Sequence, residues 1–489
     1  MDSVVECIYH HSMEEPEKKA VITEEREVTY AGLWSMIRRC ALSLREKGVA
    51  VGDRVMLEAP STAEYLACCY GTEMLGAISV PFEKNAPDER IAEIAADIKP
   101  AVILKDSDEV EILGCAPDGS PDADSPAAEF TFPTPDLLAE ILYTTGTTGK
   151  SKGVMVSHYA QMNMCTNQNP VIGLREDNVW LIPTPMNHAA GLRKTHMSMV
   201  RGSTVYLLQG FTDLKKFFGA MKNSHVTSLY LPPAGIHYIL LLAAKELAKY
   251  DDQLDFIYSS SSALPSGDKE KLIELLPHVR KYDAYGSSEV GAICYIDYNA
   301  VRNVPQCVGK PNKGFEVTCV DENYQPFHAD KENPGIIAIK SNTVTAGYWN
   351  EPELTKNTIH DGVIYMSDLG YMDDEGYLYL VGRRDDVINI GGFKVAPTEV
   401  EDAALRLPMM DDCACVPFQD KINGQVLKMY VVLKQDAPFD PVRIASLIGE
   451  KLEAYKVPKY IEQIDAIPRT FNGKIDRKVL IAKQSEKKN

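Results

Sequence analysis

No stretch of this sequence is apolar for long enough to cross a bilayer; the run at 238–244 falls far short of the ~20 residues that a spanning helix needs. The opening residues, Met1-Asp-Ser-Val-Val-Glu6, lack the basic flank and apolar core of a secretory leader, so a soluble, cytoplasmic protein is expected. Positive charge is in deficit. Lys and Arg number 51 against 69 Asp and Glu, a net −18, which argues against a nucleic-acid backbone as a general partner and leaves a local basic pocket for phosphates open. Cysteine is unremarkable in number, 11 in 489 residues. Neither Cys68 and Cys69 nor Cys413 and Cys415 build the doubled Cys-x-x-Cys spacing of a zinc site. Reduced thiols, mostly in the core, are expected instead. Internal repeats and long low-complexity tracts are also lacking.

What is present is alternation. Helical spacing at 30–47, 64–75, 214–223 and 267–276 interleaves with strand-like runs at 54–59, 78–81, 179–182 and 228–231. That pattern predicts α/β layers around a largely parallel sheet. A Pro- and Asp-rich stretch at 116–135 reads as a surface connection. From 335 to 382 the texture changes to short strands with Gly, Asn and Asp turns. After it a fresh α+β pattern begins, with helices at 397–406 and 441–452 and strands at 412–417 and 428–434. The chain is too long for one ordinary domain. The expected division is an N-terminal domain, 1–384, and a small C-terminal domain, 385–489, with the hinge at Asp385.

The densest local signal is Ile141-Leu-Tyr-Thr-Thr-Gly-Thr-Thr-Gly-Lys-Ser-Lys-Gly-Val154. An apolar strand start runs into two glycines, four threonines and two lysines within nine residues. Glycines let backbone N–H groups close on an anion, and hydroxyls and ammonium groups complete the cage. A polar hairpin turn has the same composition. The spacing is not that of a Walker loop, which needs four residues between its glycines where Gly146 and Gly149 have two. Nor is it a dinucleotide fingerprint.

This loop, followed by Val154-Met-Val-Ser-His158, resembles the phosphate-binding loop of the adenylate-forming superfamily. Its members include acyl- and aryl-CoA synthetases, adenylation domains of nonribosomal peptide synthesis and beetle luciferase. Lys152 falls on the family lysine, and Ser151 stands where proline is usual. Further segments match in order: Ser259-Ser-Ser-Ser-Ala-Leu-Pro265, Tyr282-Asp-Ala-Tyr-Gly-Ser-Ser-Glu289, Met366-Ser-Asp-Leu-Gly370, Gly382-Arg-Arg-Asp385, Ile390-Gly-Gly-Phe-Lys-Val-Ala-Pro-Thr-Glu399 and Pro468-Arg-Thr-Phe-Asn-Gly-Lys-Ile-Asp-Arg477. Departures are local: four serines replace a glycine-rich pattern after residue 258, and Ser288 replaces a threonine.

The resemblance implies a large N-terminal domain of layered β-sheets flanked by helices, a small β-barrel-like portion, and a mobile α+β C-terminal domain. It implies that Thr144, Thr145, Gly146, Thr147, Thr148 and Lys152 hold the ATP phosphates, and that Ser260, Ser261, Ala284 and Tyr285 line the adenine. Ser288 would lie near the α-phosphate, Glu289 and Thr145 would serve Mg²⁺, Asp368 the ribose and Arg383 the nucleotide. Gly391, Gly392, Phe393 and Lys394 would line the path of a thiol, and Lys474 would be the catalytic lysine.

The implied reaction is attack of a carboxylate on the α-phosphorus of ATP, giving an acyl-AMP and pyrophosphate. Transfer of the acyl group to coenzyme A, with release of AMP, would follow. An acyl carrier protein acting in trans is the alternative acceptor. His188, in Met186-Asn-His188, sits where CoA ligases of the family meet the acyl group, and would contact the acyl carboxyl or gate the thiol path. No Asp occurs in 185–192 to pair with an α-amine, which points to an acid lacking one. Ala189, Ala190 and Gly191 leave room for a medium or long aliphatic acid or an aryl acid.

Overall fold

The helix Tyr30–Glu46 shows how the sequence pattern becomes packing. Thr29 Oγ1 accepts the Gly32 N–H and starts it, and Leu33, Ile37, Cys40, Ala41 and Leu44 recur at three- and four-residue steps to bury one stripe. The helix packs on Ala63–Met74, which Thr62 caps in the same way. They approach so closely that a Cβ on Gly71 would sit 2.8 Å from Cys40 Cβ.

The computed structural model describes residues 1–108, 130–145, 151–300, 304, 306–384, 386–390, 393–420, 424–469 and 475–486. Of the connection expected at 116–135, only 130–135 falls within these. Among the described residues two large sheets organise the chain before residue 384, one of fourteen strands and one of six. The larger has a parallel centre in the order Thr204–Leu207, Val179–Ile182, Ser228–Tyr230, Phe256–Ser260 and Arg280–Ser287. It continues antiparallel through Gly291–Asp297 and Cys307–Pro311 into Leu378–Arg383, Val363–Met372, Gly335–Ser341 and Phe315–Val320. The smaller joins parallel strands Val102–Leu104, Arg54–Glu58 and Ile78–Phe82 to the hairpin Leu138–Thr145 and Ser151–Ser157, with Gly347–Tyr348 at its edge.

Both faces of the parallel centre are covered, the arrangement that near-continuous apolar strands require. Tyr230, Phe256, Tyr258, Tyr282 and Ala284 share one face with the core under the N-terminal helices and Ala189–Arg201. Leu229, Leu231 and Ile257 point the other way, against Leu214–Asn223, Pro233–Leu242 and Ser266–Leu275.

After residue 393 a separate core forms. Met410–Asp420 and Gly424–Leu433 pair antiparallel, Tyr460–Gln463 adds parallel, and Val400, Ala404, Cys413, Cys415, Met429, Val431, Ile444 and Ile448 fill the space beneath Pro397–Leu405 and Pro441–Gly449. The strand expected at 412–417 extends to Met410–Asp420 because its hairpin partner pairs with it over that whole length. Polar contacts among the described residues join this part to the larger body: Asp402 accepts from Ser266 N and Ser266 Oγ, both at 3.0 Å, and Lys331 Nζ lies 3.6 Å from Glu453 and 3.9 Å from Glu399. The ten cysteines among the described residues are buried and unpaired. No helix among them is long and apolar enough to cross a membrane.

Candidate functional site

The threonine- and glycine-rich segment is a hairpin. Thr144 lies across from Lys152 and Tyr143 across from Gly153. Gly153 has no room for a side chain, since a Cβ there would meet Ile141 Cγ2 at 2.8 Å. The hairpin is tied to the large sheet by residues 343–349. Ala346 N donates to Met155 O at 2.9 Å and Trp349 N to Gly153 O at 2.8 Å, on the hairpin side. On the other side Thr343 Oγ1 donates to Val290 O and Thr345 N to Glu289 O, both at 2.8 Å. Tyr348 completes the tie: its hydroxyl donates to Glu289 Oε1 at 2.8 Å, and its ring lies 5.8 Å from Lys152 Nζ. Lys152 and Glu289, 137 positions apart in the sequence, are thus brought to one place by a tyrosine that motif matching passes over. Glu289 Oε2 accepts no hydrogen bond among the described residues. It remains a hard oxygen donor of the kind Mg²⁺ selects, so the residue fits the metal that the resemblance implies.

A second group converges beside it. Asp368 and Arg383 are cross-strand partners, with Arg383 Nε 3.9 Å from Asp368 Oδ1. Tyr285 donates its hydroxyl to Asp368 Oδ2 at 2.8 Å, and Arg383 also reaches Ser367 Oγ at 2.8 Å. Burial, and then the Asp368 charge, push the Tyr285 phenol far above its ordinary pKa, so it stays a donor. The neighbouring Gly286 is required by the backbone: a Cβ would lie 2.0 Å from Gly291 O, where the strand pair carries a bulge.

Ser260 and Ala284 are register partners at the carboxyl ends of parallel strands, where open α/β sheets bind ligands. Ser261 adopts φ +86°, a left-handed conformation that costs a serine about 1 kcal/mol or more. This is one of the serines that stand in for family glycine. Tyr230 Oη lies 3.1 Å from Ser260 Oγ and 3.3 Å from Ser261 Oγ, which helps hold the turn.

His188 is the N-cap of the helix Ala189–Arg201, its Nδ1 accepting the Ala190 N–H at 3.2 Å. Nδ1 is therefore unprotonated, and a neutral ring carries its proton on Nε2. Arg193, on the same helix, donates to the carbonyls of Ser287, at 3.1 Å, and Ser288. It thereby fixes the backbone just before Glu289. Burial lowers the Arg193 pKa, against the opposing pull of Glu140 and Glu289.

Beneath the helix lies a buried polar layer. His196 Nε2 sits 3.4 Å from Glu140 Oε2, and its Nδ1 is 2.9 Å from Tyr70 Oη. Burial alone would raise the Glu140 carboxyl; the His196 hydrogen bond and the nearby His196 and Arg193 hold it below the usual value. Glu73 is raised by burial and by Glu140.

Gly146, Thr147, Thr148, Asp385, Gly391, Gly392 and Lys474 lie outside the described residues. Of Thr145, Phe393 and Lys394 the backbone alone is described: Thr145 ends the first hairpin strand, and the other two begin the strand Phe393–Val395. Ser288 is brought next to the Glu289 cluster through Arg193.

A family model described as AMP-binding enzyme matches residues 8–349, and a second, described as AMP-binding enzyme C-terminal domain, matches 399–474. The chain is 27% identical over 490 residues to the long-chain-fatty-acid–CoA ligase FadD13 of Mycobacterium tuberculosis, across 95% of each chain. It is 25% identical over 487 residues to the 2-succinylbenzoate–CoA ligase of Bacillus cereus, across 98% of each. Among solved structures, ATP-bound MatB from Rhodopseudomonas palustris shares the fold with a TM-score of 0.85 and 25% identity over 98% of both chains. Taken with the shared fold, these matches establish that the chain belongs to the AMP-binding enzyme family.

Proposed function

We propose that this enzyme activates a carboxylic acid lacking an α-amino group as its acyl-AMP, with release of pyrophosphate, and then passes the acyl group to coenzyme A with release of AMP. The observation that carries the reading is the convergence of Lys152, Tyr348 and Glu289 next to Tyr285, Asp368 and Arg383. One set suits a polyphosphate and its cation, the other a ribose and base. A carboxylate is a poor electrophile because its leaving group would be oxide; the mixed anhydride with AMP supplies a good one. The protein's work is to position the reactants and neutralise charge.

In this reading Thr144, Thr145, Gly146, Thr147, Thr148 and Lys152 bind the β- and γ-phosphates. Glu289 and Thr145 hold Mg²⁺, which neutralises phosphate charge when bound. Ser260, Ser261, Ala284 and Tyr285 frame the adenine, Ser288 faces the α-phosphate, Asp368 takes the ribose and Arg383 reaches the nucleotide. His188, through Nε2, meets the acyl carboxyl or the thiol path. Lys474 bridges the acid and the α-phosphate. The unit from 385 to 489 then turns about Asp385, withdraws Lys474 and brings Gly391, Gly392, Phe393 and Lys394 to the thiol. The acid is an aliphatic one of medium or long chain, or an aryl acid. Ten buried free thiols suit the reducing cytoplasm.

The test is acid-dependent pyrophosphate exchange, with mass spectrometry for acyl-CoA. Lys474→Ala is expected to lower exchange by about 100-fold or more; an unchanged rate removes Lys474 from the adenylation step. Exchange without an acyl-CoA product, combined with loading of a carrier protein, replaces coenzyme A by a carrier as acceptor.

A further inference from the structure

Four lysines are buried among the described residues: Lys194, Lys281, Lys428 and Lys456. Three have taken polar partners. Lys281 Nζ donates to Leu276 O, Val279 O and Asn299 Oδ1 at 2.5, 2.7 and 3.1 Å. Lys428 pairs with Glu462 at 2.8 Å, and Lys456 with Glu399 and Glu453 at 2.8 and 3.0 Å. Lys194 is 6% exposed and has neither a carboxylate nor a hydrogen-bond acceptor among the described residues. Its Nζ lies over two aromatic faces, 4.6 Å from the centre of Tyr258 and 5.2 Å from that of Tyr230. Such faces attract a cation, but they do not replace the hydrogen bonds that three ammonium protons lose on leaving water. The cation of Arg193, the preceding residue, repels it. Burial first, then Arg193, bring the Lys194 pKa down to about 7.

The position of this lysine gives the missing partner a place. Tyr230, at the carboxyl end of its strand, and Tyr258, in the middle of the next, are register partners on the face that the helix Ala189–Arg201 covers. Ser260, two residues past Tyr258, is on that face too, paired with Ala284, and Tyr230 hydrogen-bonds both Ser260 and Ser261. One turn before Lys194 the helix carries Ala190 and Gly191; Gly191 packs on the chain at 184–185, where a Cβ would meet Pro185 O at 2.6 Å, so the room expected of it in the sequence is taken up by backbone and the small side chain on this turn is that of Ala190. Lys194 therefore lies on the sheet face shared by Tyr258, Ser260 and Ala284, the last two being residues assigned above to the adenine.

We propose that Lys194 receives a second carboxylate of the substrate, so that the acid is a dicarboxylic acid activated at one end. This rests on the adenylation reading above and narrows its acid class. The bound carboxylate supplies the acceptors that the fold withholds, and the tyrosine rings flank the carbon chain between the two ends.

The experiment is acid-dependent pyrophosphate exchange by the full-length enzyme, with dicarboxylates from succinate to suberate set against monocarboxylates of equal length. The expected result is a kcat/KM about 100-fold higher for the best dicarboxylate than for its monocarboxylate match. Lys194→Met is expected to reverse the preference, raising KM for the dicarboxylate by about 100-fold while monocarboxylates are activated at least as well as by the parent. Lys194→Arg restores part of the preference, which a purely structural lysine would not require. Exchange that favours monocarboxylates in the parent enzyme, and is unmoved in kind by Lys194→Met, overturns the second-carboxylate site and leaves adenylation standing. Exchange with no acid of either series overturns adenylation itself, and the subsite with it. The comparison within the parent enzyme decides the matter even where a variant fails to fold.

Discussion

In the part of the chain after residue 393, buried charge is matched with care. Arg477 places two nitrogens on the two oxygens of Glu401 at 2.7 and 2.9 Å, and Glu401 also accepts the Cys415 N–H at 2.7 Å. Lys456 and Lys428 are paired as described. Under the helix Ala189–Arg201 the opposite holds: among the described residues Lys194 has no carboxylate partner, Glu73 and Glu140 crowd each other, and neither ring nitrogen of His158 has a hydrogen-bond partner. Where charge serves the fold, the fold satisfies it. Where ligand is expected, groups are left in electrostatic debt, and that imbalance marks the site as clearly as any motif.

The largest test of this contrast is to break a matched pair. Arg477→Met leaves Glu401 buried without its counter-charge, keeping only the Cys415 N–H, and is expected to cost about 3–5 kcal/mol in urea unfolding. Adding Glu401→Leu is expected to recover most of that loss, because both charges then go. No recovery would mean that the pair holds the segment by geometry rather than charge.

The next test uses pH. Burial pulls the His158 pKa from 6.5 down to about 4, with Glu140 opposing and His196 assisting. Between these values the unfolded chain binds a proton that the folded one refuses, so stability falls as pH drops through the window. The full effect is about 3 kcal/mol. Glu73, with its raised pKa, works in the other direction, so the informative quantity is the difference between parent and His158→Leu. Unfolding at pH 7.5 and pH 4.5 is expected to show a shallower acid loss in the variant; equal slopes would place the acid sensitivity elsewhere.

The smallest effect has the opposite sign to the first. Lys194→Met removes a buried amine that has no carboxylate partner among the described residues, and is expected to stabilise the folded state by about 1–2 kcal/mol. Destabilisation in urea would show that the tyrosine faces are an adequate partner, and the contrast between the two regions would weaken.

Much of this architecture was legible in the sequence because its determinants are local. The helices at 30–47 and 64–75 are bounded by threonine caps and periodic apolar residues, and they appear within a residue or two of the expected positions. The hairpin at 141–154 is legible from its run of small and hydroxyl residues between apolar strands. What escaped depends on contacts made far along the chain. Lys194 reads in sequence as one of several polar residues on a helix; only Tyr230 and Tyr258, 36 and 64 positions away, decide that it is buried. Tyr348 has no motif at all. Its one signal is Gly347, at φ +121° and 2.5 Å from Thr355 Cγ2 for an added Cβ, a position open to glycine alone. The cap made by His188 is local, two residues from Ala190, but histidine is not among the residues whose presence signals a helix start.

The tie at 343–349 has a consequence for how the protein comes into being. It is the segment that fastens the hairpin near residue 150 to Glu289, and it is made long after both. A nascent chain leaving the ribosome thus carries both halves of the proposed polyphosphate site without the clasp that joins them. Nucleotide cannot select or protect early folding intermediates, and the apolar surfaces of the two sheets must be managed until the clasp arrives. Chains released before residue 349 are therefore expected to be clients of the chaperone machinery rather than small nucleotide-binding proteins.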